Sequence, residues 1–147
     1  MSQKPIVVEQ LYDAPISAVW DAITQKEQMK EWYFDLEDFQ AVNGFTFQFT
    51  GGPQDGIQYL HLCEVTEVIP RKKLTYSWRY DGYDGISYVT FELFEKNNQT
   101  LLRLTHEGIE TFPKDNPDLH VNNFEKGWNE IIHQNLRKFF EDKKPVK

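Results

Sequence analysis

Hydrophobic positions recur with a period of two through most of the chain and with helical spacing near its start and at its end. That pattern predicts an antiparallel sheet with helices at two places. Ile6–Tyr12 is short, β-branched and closed by Asp13-Ala14-Pro15, so it reads as a first strand. Pro15 suits the first turn of a helix, where its missing N–H costs nothing, and Ile16, Val19, Trp20 and Ile23 follow at helical spacing. Thr24 with Glu27 has the form of a capping box, which predicts a second short helix ending near Trp32. From Leu36 the period becomes two. Asn43-Gly44 between Phe39–Val42 and Phe45–Phe49 signals a hairpin. Gly51-Gly52-Pro53 and Asp55-Gly56 then break the chain before a strand over about Ile57–Ile69, and Pro70–Lys73 turns it again. Leu74, Tyr76, Trp78 and Tyr80 alternate next, then Val89, Phe91 and Leu93 after the Asp81–Gly85 turn. Leu102, Leu104 and His106 alternate after Asn97-Asn98.

Ile109–Val121 carries two prolines and no period, which reads as either an ordered lid or a mobile loop. The end is helical. Asn122 as N-cap with Glu125 gives the start signal, and Phe124, Trp128, Ile131, Ile132, Leu136, Phe139 and Phe140 form a stripe of about four turns. Gly127 inside this helix costs about 1 kcal/mol relative to alanine; it marks either a close approach of the helix or a tolerated position. The 147 residues fit a single domain, 1–147 with a core over about 6–141.

Composition sharpens this picture. The chain holds 11 Phe, 7 Tyr and 4 Trp, enough ring surface to fill a core or to line a cavity. Its 16 basic and 23 acidic residues give a net charge of −7, which repels a phosphate backbone. The densest basic runs, Arg71-Lys72-Lys73 and Lys143-Lys144, are not interleaved with aromatics. No nucleic-acid partner is therefore expected. Cys63 is the single cysteine, so an intramolecular disulfide is impossible and a cysteine-based zinc site lacks ligands. No signal peptide or membrane-length apolar run stands out, so a cytoplasmic protein with no membrane partner is the expectation.

Ordered short motifs point to a family. Ala14-Pro15 with Val19-Trp20-Asp21-Ala22-Ile23, Trp32 closing the second short helix, Pro70-Arg71-Lys72-Lys73-Leu74 with Trp78, Leu102–Gly108 and Gly127-Trp128 occur in order. They resemble the family homologous to the C-terminal domain of the activator of the heat-shock-protein-ninety ATPase. That family lies in the START-like, birch-pollen-allergen-like (Bet v 1-like) superfamily, often called SRPBCC, and the resemblance runs from about Val7 to Phe140. It implies an α+β helix-grip fold: a seven-stranded antiparallel sheet, with two short helices after strand one, wrapped around a long C-terminal helix. Members of the superfamily include ligand carriers, cyclases, hydrolases and co-chaperones, so the fold does not settle the activity.

In such a fold the inward strand rows face the helix. By parity these rows hold Phe45, Phe47 and Phe49; Tyr59, His61, Cys63 and Val65; Tyr76, Trp78 and Tyr80; Val89 and Phe91; and Leu102, Leu104 and His106. Trp128, Ile132 and Leu136 come from the helix. A bulge would flip part of any row. One reading makes all of these core. The other makes them the lining of a small-molecule site, because Tyr59, His61, Tyr76, Trp78, Tyr80 and His106 bring polar tips to an apolar surface. His106, which the resemblance places where many relatives have a histidine, is either a satisfied core histidine or a residue that orients a ligand or moves protons.

Catalytic signatures are missing: there is no nucleophile elbow, HExxH, phosphate loop or dinucleotide fingerprint. Asp35, Glu37 and Asp38 read as a solvated edge, and His120 and His133 as loop and helix-surface residues. His61, Cys63 and His106 share inward parity but lack the spacing of a metal site. No cofactor or metal is expected. The expected function is non-enzymatic binding of a small apolar or aromatic ligand between sheet and helix. Two alternatives stand beside it: a cyclase- or hydrolase-type enzyme using His106, and a co-chaperone-like domain that binds a protein partner.

Overall fold

The computed structural model describes residues 5–33, 38–51, 56–113, 115–116 and 119–143. Strand β1 (Ile6–Tyr12) leads into helices α1 (Ile16–Thr24) and α2 (Lys26–Trp32). Five strands follow: β2 (Thr46–Gly51), β3 (Tyr59–Ile69), β4 (Lys73–Tyr80), β5 (Ser87–Lys96) and β6 (Gln99–Glu107). After a 3₁₀ turn at Ile109–Thr111 the chain ends in a long helical segment. Its parts are α3 (Val121–Glu130), a π-helical turn (Ile131–Asn135) and α4 (Leu136–Lys143). The strands form one antiparallel sheet in the order β1-β6-β5-β4-β3-β2, so β2 to β6 run as a meander and β1 returns to pair with β6.

Alternation decides which face is buried. Phe47 and Phe49 face inward while Thr46, Gln48 and Thr50 are exposed. The same parity buries Val89, Phe91 and Leu93 on β5 and Leu102, Leu104 and His106 on β6. The helical segment lays Trp128, Ile132, Leu136, Phe139 and Phe140 against this surface. The core is the layer between the two. The shift of β3 against β4 between Val65 and Glu67 comes after the inward run Tyr59–Val65, so that run keeps its register.

The helix-grip architecture stands, with six strands among the described residues rather than seven. Phe39–Val42 is not a strand. Gly44, at φ +93, makes the turn, but its N–H donates to the Val65 carbonyl at 2.7 Å, and the Val65 N–H donates to Phe45 at 2.8 Å. The Asn43-Gly44 turn thus delivers the chain onto β3 instead of closing a hairpin. The Asn97-Asn98 turn does close one: both residues are left-handed, at φ 52 and 68, between the paired Lys96 and Gln99.

The helix starts also differ in detail. Pro15 is the N-cap of α1, and its carbonyl accepts from Ala18 and Val19. Thr24 is the last residue of α1, where its hydroxyl donates back to the Trp20 carbonyl at 2.7 Å. It therefore cannot cap α2, which is entered through extended Gln25. His120, not Asn122, caps α3, its Nδ1 accepting the Asn122 N–H at 3.2 Å. An added Cβ at Gly127 would meet nothing within 4 Å, so Gly127 is a tolerated position. Asp35, Glu37, Lys144 and the Gly52-Pro53 and Asp55 breaks lie outside the described residues, as do Lys114, Pro117 and Asp118 of the Ile109–Val121 segment.

Candidate functional site

The inward rows meet in one aromatic layer. His61 stacks on Phe49 at 4.4 Å and meets the rings of Tyr80 at 4.7 Å and Trp78 at 5.0 Å. Phe47 packs edge-on against Tyr76 at 5.1 Å, and Tyr59 against Tyr80 at 5.6 Å. Trp128 reaches down from α3 to Trp78 at 5.8 Å and to Phe91 at 6.4 Å. Of the residues singled out by parity, Phe47, Tyr59, His61, Tyr76, Trp78, Tyr80, Phe91, Leu104, His106, Trp128 and Ile132 are buried, while Phe45 is half-buried at the margin. Leu104 and Ile132 are fully enclosed.

His106 has no exposed surface, and its partners fix its tautomer. The indole N–H of Trp128 can only donate, and it donates to Nδ1 at 2.9 Å. The proton of a neutral ring is then on Nε2, which donates to Ser87 Oγ at 2.8 Å. The Ser87 hydroxyl in turn donates to the Trp78 carbonyl at 2.9 Å. This relay ties α3, β6, β5 and β4 together. Burial depresses the His106 pKa to about 3, so the ring stays neutral at ordinary pH. Of the two readings the sequence left open, this geometry is the satisfied core histidine.

Other polar groups in the layer are also settled. Burial lowers His61 to about 4, and its Nδ1 lies 3.0 Å from the Tyr59 carbonyl. The Trp78 indole donates to the Tyr80 hydroxyl at 2.9 Å. Burial pushes the Cys63 thiol well above the usual range, which leaves it a small hydrophobe rather than a nucleophile. Among the described residues, no three His, Cys, Asp or Glu side chains are grouped to hold a metal ion.

Parity did not single out Tyr33. It follows α2 by one residue and belongs to no periodic run, yet its ring reaches the centre of the layer. It stacks on Trp32 at 5.1 Å and on Trp128 at 6.0 Å, with ring planes 25° and 22° apart. Phe49 stands beside it at 6.2 Å. Its hydroxyl shares a 2.6 Å hydrogen bond with the hydroxyl of Tyr76. Burial holds both phenols well above their ordinary pKa, so the pair is uncharged. The only sequence signal was the adjacency of Trp32 and Tyr33. Ser87 opens β5 in phase with Val89, Phe91 and Leu93, but it is polar, so the apolar pattern did not mark it.

Three concavities are formed by described residues. One, of about 560 Å³, runs over β2 to β4 past Thr46, Gln48, Glu64, Ser77 and Arg79 and is also lined by Phe45 and Phe47. A second, of about 210 Å³, is bounded by Ile109, Phe112, Asn116, Leu119 and His120. The third, of about 780 Å³, is an open groove at the β3–β4 and β5–β6 ends of the sheet, beside Ile69, Arg71, Lys72 and Lys96. None of the three is lined by Tyr76, Trp78, His106 or Trp128. Among the described residues, the layer between sheet and helix holds the protein's own rings.

Comparison with known proteins agrees with this architecture. Protein MLL2253 from Mesorhizobium loti has a solved structure that superposes with a TM-score of 0.78 at 26% identity, covering 97% of this chain and 100% of that one. BH1534 from Bacillus halodurans superposes at 0.73 with 26% identity, covering 95% and 99%. DynU16, from the dynemicin biosynthetic locus, shares the fold at 0.77 with 23% identity; 97% of this chain is covered but 49% of DynU16. No curated protein sequence matches. The family described as activator of Hsp90 ATPase homolog 1-like protein matches residues 13–141, nearly the full length of the sheet and helices. The chain belongs to that family, within the SRPBCC or Bet v 1-like superfamily.

Proposed function

We propose that this protein is a non-enzymatic domain that binds a small, mostly apolar ligand between the sheet and the C-terminal helix. The observation that carries the reading is the interior itself: Tyr33 lies against the rings of Trp32, Phe49 and Trp128 and bonds to Tyr76, and Phe47, Trp78 and Phe91 pack around those partners. Apolar walls with a few fixed polar atoms are what a small-molecule site offers. Here those atoms are the Tyr76 and Tyr80 hydroxyls and the His61 ring. Phe45 and Tyr59 border this layer. His106, Leu104 and Ile132 support it from behind. The enclosed, neutral His106 argues for a holding role over an acid–base one.

Native mass spectrometry and thermal shift against a panel of lipids and aromatic metabolites test the proposal. A true ligand at about 100 times its Kd adds about 2.7 kcal/mol of stability. For a domain of this size that raises Tm by about 8 °C. If no ligand stays bound or moves Tm, the proposal is overturned.

A further inference from the structure

We infer that Tyr33 is an internal stand-in for the natural ligand, and that the ligand class is a flat aromatic ring carrying a hydroxyl, which binds by displacing it. The inference rests on the ligand-binding reading and specifies its chemistry.

Four observations support it. The Tyr33 ring is supplied neither by the sheet nor by the C-terminal helix, but from the residue just past α2. It occupies a slot lined by two indoles, Trp32 and Trp128, both within 25° of parallel to it. Such a slot selects a flat π surface, since offset stacking needs a planar partner. At its inner end the slot presents a hydrogen-bonding group, the Tyr76 hydroxyl, 2.6 Å from the Tyr33 oxygen. Tyr76 is itself fully buried and neutral, so it suits a hydroxyl and disfavours a charged head. Finally, Tyr33 is partly exposed as a residue while its hydroxyl is enclosed, so the end that meets solvent is the one nearest its backbone.

A plug that must leave before the ligand enters lowers apparent affinity by the fraction of time the slot is vacant. Loosening or removing the plug should therefore tighten binding. A ligand that keeps the buried Tyr76 hydroxyl paired should beat an analogue that leaves it unpaired.

Isothermal titration with 2-naphthol and with naphthalene, its analogue without the hydroxyl, checks this on the wild type and on Tyr33→Ala, Tyr33→Phe and Tyr33→Ala/Tyr76→Phe. Tyr33→Ala is expected to bind 2-naphthol at least about tenfold tighter than the wild type. It should prefer 2-naphthol over naphthalene by about tenfold. The double variant should lose that preference. Tyr33→Phe keeps the ring and loses the hydroxyl pair, so it tests the same point if the alanine variant does not fold; it should bind 2-naphthol more tightly than the wild type. Equal affinities for the two probes in Tyr33→Ala, or no tightening in either single variant, overturn the inference. Retention of an apolar ligand from the panel by the wild type would leave the broader reading standing in that case. Failure of the panel and of both probes on every variant overturns both.

Discussion

At the scale of single residues, His106 is the most consequential side chain in the core. Replacing it by leucine keeps the volume apolar but strands a buried donor, the Trp128 indole N–H, and a buried acceptor, Ser87 Oγ. Each orphan costs about 1–3 kcal/mol, so His106→Leu is expected to lose about 4 kcal/mol in urea unfolding, well beyond an ordinary surface change. Ser87→Ala should lose about 2 kcal/mol, because it leaves the Nε2 proton and the Trp78 carbonyl to find new partners. Much of this site was legible in the sequence. Strand parity brought His106, Trp78, Tyr76 and Trp128 to one layer, since a period of two leaves no choice of face once one face is buried. What parity cannot give is hydrogen-bond partnership. Ser87 lies at a strand start beside a glycine turn, and Tyr33 lies outside every repeat, so neither announced its role.

At the scale of elements, the sequence told the types better than the ends. Capping residues compete locally, and a side chain that can bond back into its own helix, as Thr24 does, is lost to the next one. The π-helical turn had no signal at all, because the i, i+3, i+4 stripe continues through Ile131–Asn135. Strand β1 holds this turn: the Tyr12 hydroxyl donates to the Ile132 carbonyl at 2.6 Å, and Gln10 Oε1 meets His133 Nδ1 at 2.7 Å. Tyr12→Phe should therefore cost about 1–2 kcal/mol, with hydrogen exchange accelerated in Ile131–Asn135 ahead of the sheet. The β4–β5 turn offers a sterically sharper test. Gly85 sits at φ +104, and an added Cβ would fall 2.4 Å from the Thr111 carbonyl oxygen. Thr111 also binds the turn from the other side, its hydroxyl accepting the Ile86 N–H at 2.8 Å. Gly85→Ala is expected to lose about 3 kcal/mol and to detach the 3₁₀ turn from the sheet.

At the scale of the whole molecule, the two buried histidines set its response to acid. Burial takes His61 to about 4 and His106 to about 3, against 6.5 for a free side chain. Between those values the unfolded chain binds more protons than the fold does. Stability is therefore complete above the unfolded pKa and declines as pH falls toward the folded ones, by up to about 1.4 kcal/mol per pH unit for each histidine. Urea unfolding should show a plateau near pH 7–8 and a loss of about 4 kcal/mol by pH 5. Replacing His106 by glutamine should remove roughly half of that slope. A pH-independent stability across this range would contradict the buried, neutral assignment. No helix among the described residues is long and apolar enough to cross a membrane, and the apolar rows are spent on the internal layer. The indoles in that layer give the protein an optical property. Trp78 and Trp128 lie 5.8 Å apart at 61°, close enough for their excited states to mix, and Trp32 and Trp128 flank Tyr33. Such a pair produces an exciton signature in circular dichroism, whose sign and size depend on the angle between the rings. The molecule thus carries its own label-free reporter, and a guest that shifts Trp128 would change that spectrum without any dye attached.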